Sequence, residues 1–341
     1  MSSRIKASLQ YIIILAITGL LIWFSLRGIE AGEGEDKWDY LMRTWESADK
    51  GWLLIMAGIA LISHLVRAQR WRMLMEPVGY SVKLSHSFYS LMVGYLINLV
   101  IPRGGEVSRC YNLYKLEKTP VDMSFGTVVV ERIVDLICLA SLICISFLLE
   151  SQKLFAFIDT LNVNASGSSS KFSLLLYLLV VVLAGGVVLW LIFRKNERLR
   201  NFILKTWMGF RSGFLSVFQL KNKSLFIFYS LLIWFLYFLM SYAVIRAFPS
   251  TETLGFSAVL SLFAIGAIAM AAPLPGGTGS YHVLVPQGLV FLYQVQRSDA
   301  VAFTFIFHGW QTLIMIVGGA ISLLITSYLA RKKAALSNNG H

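Results

Sequence analysis

The sequence predicts an all-α, polytopic integral membrane protein with about six full spans and two broken, re-entrant hairpins. Of its 341 residues, 57% are hydrophobic and 14% are charged, and the mean hydropathy is +0.68. Soluble domains average about 45–50% apolar and about 25% charged residues. Two apolar tracts, 87–101 and 254–295, are followed or interrupted by proline and glycine where a membrane helix would normally continue. Such breaks survive in a membrane when protein or a wet cavity satisfies the freed backbone groups.

Apolar runs of about 20 residues, the length that crosses a bilayer, give the candidate full spans. The first run follows Arg4 and Lys6 as a signal peptide would, but it is too long and lacks a small-residue cleavage site, so we expect a retained span. We expect one membrane domain over 1–341, without an appended soluble domain. The candidate spans are 9–27, 51–67, 124–149, 171–193, 225–247 and 301–329.

The charges of the connectors predict the orientation, because Lys and Arg collect on the cytoplasmic side. Connector 194–223 has eight basic residues against Glu197 and belongs inside, whereas the acidic connector 28–50 and the weakly charged 151–170 belong outside. Both termini are then cytoplasmic, in the inner (plasma) membrane. This bias and attraction to anionic headgroups account for the net charge of +12, so no nucleic-acid partner is expected.

The sides assigned to the connectors also predict from which face each broken tract enters the membrane. Run 87–101 reaches only about 22 Å at about 1.5 Å per residue, short of a core of about 30 Å. We expect it to enter from the cytoplasm, turn at 102–105 and return through 108–123. Tract 254–295 begins and ends outside and should dip in from the opposite face, although 254–272 is long enough to span, so a full crossing there stays open.

Each half of the chain therefore reads as span, span, broken hairpin, span. The two halves, 1–149 and 171–329, have opposite loop-charge bias, which predicts an inverted-topology repeat. Aligning the two Gly-Gly turns also pairs Ser108 with Ser280, but it does not align the prolines.

Several short motifs occur in the order seen in the lysylphosphatidylglycerol synthase transmembrane-region family. They are Arg67-x-x-Arg-Trp-Arg72, Gly94-Tyr-x-x-Asn98, Pro102-Arg-Gly-Gly-Glu106 with Arg109, Glu131-Arg-x-x-Asp135 and Pro273-x-Pro-Gly-Gly-x-Gly279. The chain resembles a stand-alone bacterial member of this flippase-like family over essentially its whole length. In multidomain relatives the membrane region is credited with moving aminoacylated phospholipid between leaflets, so the resemblance implies lipid translocation. The chain departs from the family pattern at Tyr281-His282, where many relatives have a Glu, which leaves the substrate and any proton coupling open.

The first broken motif supplies groups that bind an amphiphilic anion. Arg103 and Arg109 are planar donors suited to phosphate, and free N–H groups near Gly104 and Gly105 would form a small anion-binding nest. Glu106 would balance the arginines or contact a cationic headgroup. These charges could instead mark only the cytoplasmic interface. We favour a site, because charges at this depth usually face a cavity and serve a function.

Further charges follow in the next span. Glu131 and Asp135 share one helix face, and Arg132 neighbours Asp135. They are either an internal ion-pair brace or gates for the arginines of the first motif, and both roles are compatible. Three arginines after the second span, Arg67, Arg70 and Arg72, are assigned to an interfacial anchor with Trp71 rather than to a substrate clamp.

In the second motif, proline and glycine shape a backbone turn, and Ser280 and His282 are its polar candidates. His282 is either a satisfied buried histidine or a headgroup contact. The complete predicted substrate-binding set is Asn98, Arg103, Gly104, Gly105, Glu106, Arg109, Glu131, Arg132, Asp135, Pro275, Gly276, Gly277, Ser280 and His282.

The motifs of common enzymes are absent from the sequence. There is no HExxH metal motif and no GxSxG nucleophile turn, the five histidines are scattered, and the three cysteines lack ligand spacing. We expect a translocase for an anionic, aminoacylated or polyprenyl-phosphate-type lipid, with membrane lipids as partners and no catalytic residue, cofactor or metal. One alternative is a scaffold or regulatory subunit of a lipid-modifying enzyme, its candidate partner. The other is an intramembrane headgroup transferase that uses Glu106, Glu131 and Asp135.

Overall fold

The computed structural model describes residues 16–29, 36–160, 197–272 and 274–338, and every regular element in these ranges is helical. The all-α prediction is therefore confirmed for this part of the chain. The candidate span 171–193 and residues 161–170 of the connector before it lie outside the described residues. The helices are α1 (Ala16–Leu26), α2 (Lys37–Ser47), α3 (Lys50–Met75), α4 (Leu84–Asn98), α5 (Gly104–Glu117), α6 (Val121–Thr160), α7 (Glu197–Leu215), α8 (Lys223–Ala247), α9 (Phe256–Met270), α10 (Ser280–Tyr293) and α11 (Arg297–Asn338).

Three helices are long and apolar enough to cross a membrane: α3, α8 and the part of α11 over Arg297–Lys333. They correspond to the predicted spans 51–67, 225–247 and 301–329. Helix α6 is longer, with 40 residues, but charged residues interrupt the apolar character of its first half. Its backbone also leaves helical geometry at Glu150 (φ −135°, ψ 39°). The chain is thus a membrane protein, and three of its described helices are candidate spans by length and composition.

Both broken tracts form helical hairpins of matching size. The first hairpin, α4–α5, has helices of 15 and 14 residues, and the second, α9–α10, also has 15 and 14. Long helices flank each of them: α3 with 26 residues and α6 with 40, then α8 with 25 and α11 with 42. Helix α3 packs along α8, α4 packs against α11, and α9 packs against α6. Each hairpin therefore rests on the last long helix of the other half.

Glycine allows the backbones within each hairpin to approach closely. A Cβ added to Gly105 would lie 2.2 Å from the carbonyl oxygen of Gly94, and one added to Gly277 would lie 2.2 Å from Sδ of Met270. Neither position can accept a side chain without a shift of its neighbours. The two turns differ in conformation: Gly104 and Gly105 begin α5, whereas Gly276 and Gly277 have positive φ (56° and 72°) in a turn that precedes α10.

The paired serines make similar hydrogen bonds at different places in their helices. Ser108 Oγ donates to the carbonyl of Gly105 at 3.1 Å, and Ser280 Oγ donates to the carbonyl of Gly277 at 3.1 Å. Ser108 lies one turn into α5, however, whereas Ser280 begins α10, so the sequence alignment of the two serines does not align the helix starts.

Helix α11 contacts both hairpins at different points along its length. Nε2 of His308 lies 3.0 Å from the carbonyl oxygen of Gly276 in the second hairpin. Further along, Oγ1 of Thr326 accepts a hydrogen bond from Nδ2 of Asn112 in α5 at 3.3 Å. The second hairpin thus meets the first part of α11, and the base of the first hairpin meets its last part.

Two shorter helices complete the description. Helix α2 lies in the acidic connector 28–50; it begins where the Asp36 side chain accepts a bond from Lys37 N at 2.7 Å. Helix α7 and the 3-10 turn Ser216–Gln219 lie in the basic connector 194–223, and α7 packs closely on α6 through glycine.

Candidate functional site

Three helices bring a set of charged side chains together in the interior. Two arginines come from one face of α3, a Glu and an Arg from one face of α5, and three residues from the first half of α6. Spacings of three or four residues place the pairs of α3 and α5, and Glu131 with Asp135 of α6, on one side of each helix. We define this charge cluster as Arg67, Arg70, Glu106, Arg109, Glu131, Arg132 and Asp135.

Glu131 lies at the centre of the charge cluster and is fully buried. Its Oε2 accepts a hydrogen bond from Nη2 of Arg109 at 2.6 Å, and its Oε1 lies 3.4 Å from Nη2 of Arg70. Arg70 Nη2 also donates to Oδ1 of Asp135 at 2.8 Å, and Arg67 Nη2 donates to the other oxygen of that carboxylate. Buried charges are tolerated when they are paired in this way.

The charge cluster has an open edge at Arg132. The Arg132 side chain is 44% exposed, whereas that of Glu131 has no exposed surface. Nε of Arg132 lies 3.7 Å from Oε1 of Glu106, and Nη1 of Arg132 lies 3.8 Å from Oδ2 of Asp135. With four guanidinium groups and three carboxylates, the charge cluster has one excess positive charge.

Helix α8 supports the arginines of α3 from the other side. Arg67 Nη1 donates to the Tyr237 hydroxyl at 2.8 Å, and Arg70 Nη1 donates to Ser230 Oγ at 3.3 Å. These bonds hold the two guanidinium groups at fixed positions, so the charge cluster is held by both halves of the chain.

A small pocket adjoins the charge cluster where α4, α5 and α6 meet. Within the described part of the chain, several buried polar atoms at this pocket have no hydrogen-bond partner: Nε and Nη1 of Arg109, Oε2 of Glu106 and the hydroxyl of Tyr95. Buried polar atoms are normally paired, so these atoms are open to a bound group. The pocket has a volume of about 10 Å³, room for no more than about one water molecule, so a headgroup can enter only when the helices around it move apart. The pocket is lined by Leu91, Gly94, Tyr95, Asn98, Gly105, Glu106, Arg109 and Arg132.

The structure brings together most of the predicted site residues from the first motif and α6. Arg109, Glu131 and Asp135 pair directly, Glu106 and Arg132 form the edge, and Asn98 and Gly105 line the pocket. The predicted anion nest, however, is wrong. Gly104 N donates to the carbonyl of Ile101 at 2.9 Å, and Gly105 N donates to Oδ1 of Asn98 at 2.7 Å, so both N–H groups close the hairpin turn.

Arg103 does not join the charge cluster. It adopts a left-handed conformation (φ 59°), and its Nη2 donates to the carbonyl oxygen of Ala271 at 3.2 Å. The guanidinium therefore caps the C-terminal end of α9, where a cation is favourable. In addition, a Cβ on Gly276 would lie 2.9 Å from Cδ2 of Leu99. The tips of the two hairpins touch at these positions.

The predicted residues of the second motif also lie apart from the charge cluster. Pro275–Gly277 forms a short 3-10 turn, and Ser280 Oγ donates to the carbonyl of Ala269 at 2.7 Å. The ring of His282 packs against that of His308, with 4.8 Å between centroids. These residues shape the tip of the second hairpin.

Sequence reasoning missed two residues of the charge cluster. Arg67 and Arg70 are not interfacial anchors, because both are buried and bonded to the carboxylates of α6. The signal that could have found them is their spacing of three residues, which allows two arginines on α3 to face two acids one turn apart on α6.

Comparisons with known proteins agree with the motifs. The family model described as lysylphosphatidylglycerol synthase TM region matches residues 11–319. A UPF0104 membrane protein of Methanothermobacter thermautotrophicus is 29% identical over 248 residues, which cover 68% of this chain and 73% of that protein. A UPF0104 membrane protein of Methanocaldococcus jannaschii is 29% identical over 100 residues, which cover 28% of this chain and 30% of that protein. No solved structure gives a significant match.

Proposed function

We propose that this chain, which belongs to the lysylphosphatidylglycerol synthase transmembrane-region family, moves a phosphate-bearing lipid headgroup between the leaflets of the membrane. The observation that carries the proposal is the set of unpartnered buried atoms at the pocket beside the charge cluster. Donors held in the interior stabilise a headgroup that hydrocarbon would reject, while the acyl or prenyl chains remain in the lipid.

The unpartnered atoms define the headgroup chemistry. Nε and Nη1 of Arg109 donate to a phosphate oxygen, and the excess positive charge of the cluster favours an anion. Oε2 of Glu106 accepts from an ammonium or hydroxyl group. An anionic lipid, an aminoacylated phospholipid or a polyprenyl phosphate uses these groups. The protein carries out transport without a chemical conversion, from a pocket on the cytoplasmic side of the inner membrane.

The two hairpins would form the path as parts of an inverted repeat. Their equal helix lengths and contacts at different levels of α11 support entry from opposite faces. A pair of broken elements at corresponding positions is typical of transporter sites. The contact of Arg103 with Ala271 closes the path where the tips meet, so a passing headgroup has to part them.

Leaflet exchange in liposomes tests the proposal. Purified protein is reconstituted with a labelled anionic phospholipid, and the label left accessible to an external quencher is followed over time. Tyr95→Phe and Glu106→Gln each remove an unpartnered group at the pocket and should slow exchange about tenfold or more, as expected for a lost bond of about 1.5–3 kcal/mol to a charged group.

Glu117→Gln is the matched control, because Glu117 lies on the same helix, three turns away, and pairs with His86 instead. It should exchange lipid as the unmodified chain does. Full exchange by a stably inserted Tyr95→Phe, Glu106→Gln double variant would overturn the proposal. Analysis of the recovered lipid separates transport from headgroup transfer, since a transferase would alter its donor.

A further inference from the structure

Two histidines hold the glycine turn of the second hairpin, residues 275–279, by hydrogen bonds of opposite direction. Gly279 N donates to Nδ1 of His282 at 3.3 Å, so this ring nitrogen has no proton. Nε2 of His308 lies 3.0 Å from the carbonyl oxygen of Gly276, and because a carbonyl only accepts, this nitrogen has one. The closed turn therefore requires a neutral His282, whereas His308 can keep its bond when neutral or charged.

The groups around His282 do not compensate a positive charge on its ring. Its titratable neighbours are His308 and Arg297 of α11 and Tyr281 of α10, while α1 contributes the hydroxyl of Ser25, which donates to the His282 carbonyl. The described lining of the cavity beside His282 contains no carboxylate. His282 also lies in the first turn of α10, where the positive end of the helix dipole opposes a cation. A protonated His282 therefore fits poorly in the closed turn.

A cavity between α1, α10 and α11 gives His282 access to water. Its volume is about 370 Å³, enough for about ten water molecules at about 30 Å³ each. Ser25 and Gln287 are polar groups of its wall, and Arg297, which also lines it, is exposed at the protein surface. When the bond from Gly279 breaks, Nδ1 of His282 can take a proton from this water.

The turn that His282 closes is part of the contact between the hairpin tips. A Cβ on Gly276 would lie 2.9 Å from Cδ2 of Leu99 in the first hairpin. A ligand shifts a conformational equilibrium when it binds one state more tightly than the other. A proton on Nδ1 is compatible only with the broken bond to Gly279, so it binds the open turn. The open fraction should therefore rise as the pH falls through about 6.5, where free imidazole titrates.

We propose that His282 and Gly279 form a proton-controlled latch, in which protonation of His282 from the cavity opens the turn and separates the two hairpin tips. For its effect on lipid transport, the inference rests on the proposed function. The separation of the tips can be measured without transport, so the two claims fail separately.

Fluorescence quenching at the tips tests the latch. Ile101→Cys carries a bimane label, and Ala271→Trp quenches it while the tips touch; both positions are exposed, and Cys138 and Cys144 are replaced by serine. In detergent, the emission should rise when the pH falls from about 8 to about 6, on either side of the value of about 6.5 for free imidazole. His282→Asn should stay quenched at both pH values, because its amide oxygen replaces Nδ1 as the acceptor and does not titrate.

Liposomes with equal internal and external pH extend the test to lipid exchange. The rate should rise in acid by at most about tenfold per pH unit, the limit for one bound proton. His282→Asn should exchange slowly at both pH values. His86→Gln is the matched control, because His86 lies on α4 near the other end of the first hairpin and pairs with Glu117. It should retain the whole pH response.

The outcomes separate the latch from the transport role. Quenching that does not change with pH, or an acid response that persists in His282→Asn, would overturn the proposal. Loss of the response in His86→Gln would do so as well, since it would assign the titration to another histidine. Tips that separate in acid through His282 while lipid exchange stays constant would support the latch and contradict the proposed function.

Discussion

At the scale of single residues, Glu131 has the most demanding position in the molecule. It is buried between Arg70 and Arg109, and its carboxylate is a counterion for both guanidinium groups. Breaking a buried ion pair by removing one partner typically costs about 3–5 kcal/mol, because the remaining charge stays buried without a counterion.

We therefore expect Glu131→Gln to lower the free energy of unfolding by about 3–5 kcal/mol. Glu106→Gln should lower it by less than about 1 kcal/mol, because the Glu106 contact with Arg132 is long and partly exposed. Denaturant unfolding of the two variants in detergent measures the difference. Equal stability of the two variants would show that Glu131 is not the centre of the charge cluster.

The sequence predicted which charged residues of α6 lie close together, but it did not predict the arginines of α3 that pair with them. The spacing of Glu131, Arg132 and Asp135 follows from helix geometry alone. Their pairing with Arg67 and Arg70 requires α3 and α6 to pack, and no local pattern reports contacts between helices so far apart in the chain. Arg103 was misassigned for a related reason: its neighbours in sequence are charged, but its contact lies across the tip on the second hairpin.

At the scale of elements, the glycine turns set how tightly each hairpin closes. We expect Gly105→Ala to destabilise the protein by about 1–3 kcal/mol, the usual cost of overpacking, because its Cβ would lie 2.2 Å from the Gly94 carbonyl. Gly58→Ala is the control: it has nothing within 4 Å of an added Cβ and should be neutral or stabilising by up to about 1 kcal/mol. Thermal unfolding of both variants in detergent gives the comparison. A Gly105→Ala variant as stable as Gly58→Ala would contradict the close approach.

Both hairpins were predictable as broken elements because proline and glycine follow or interrupt their apolar tracts, and for the first hairpin the run was also too short to span. Helix α2 was not predicted, since its segment was read only as an acidic connector between spans. Its signal was present in Asp36, a side chain that commonly caps a helix.

At the scale of the whole molecule, the two halves end their hairpins in the same conformation. Lys118 follows α5 and Gln294 follows α10, both are exposed, and both have positive φ, 59° and 56°. If the halves are inverted repeats, these two turns lie on opposite faces of the membrane.

We expect Lys118→Cys and Gln294→Cys to be labelled from opposite sides by a membrane-impermeant maleimide. In intact cells the reagent should reach position 294 and not 118, and in inverted vesicles the pattern should reverse. The background replaces Cys138 and Cys144 with serine; Cys110 is buried. Labelling of both positions from one side would exclude the inverted arrangement.

The overall architecture followed from the sequence to the extent that length, charge bias and helix breaks determine it. Those features predicted the long helices α3, α8 and α11 and the order of the hairpins between them. The packing of α3 on α8 and the contact between the hairpin tips could not be predicted, because both depend on side-chain fit between the two halves.

The charge cluster also imposes an order on biosynthesis. Arg70 and Glu131 are 61 residues apart in the chain. At a synthesis rate of about 5–20 residues per second, α3 is made about 3–12 s before its counterions on α6 exist. Each charge at the centre of a helix opposes release from the translocon by about 2.5–3.5 kcal/mol. The arginines of α3 therefore have to wait near the membrane surface or the translocon until α6 arrives, and the two helices then enter the bilayer as one unit.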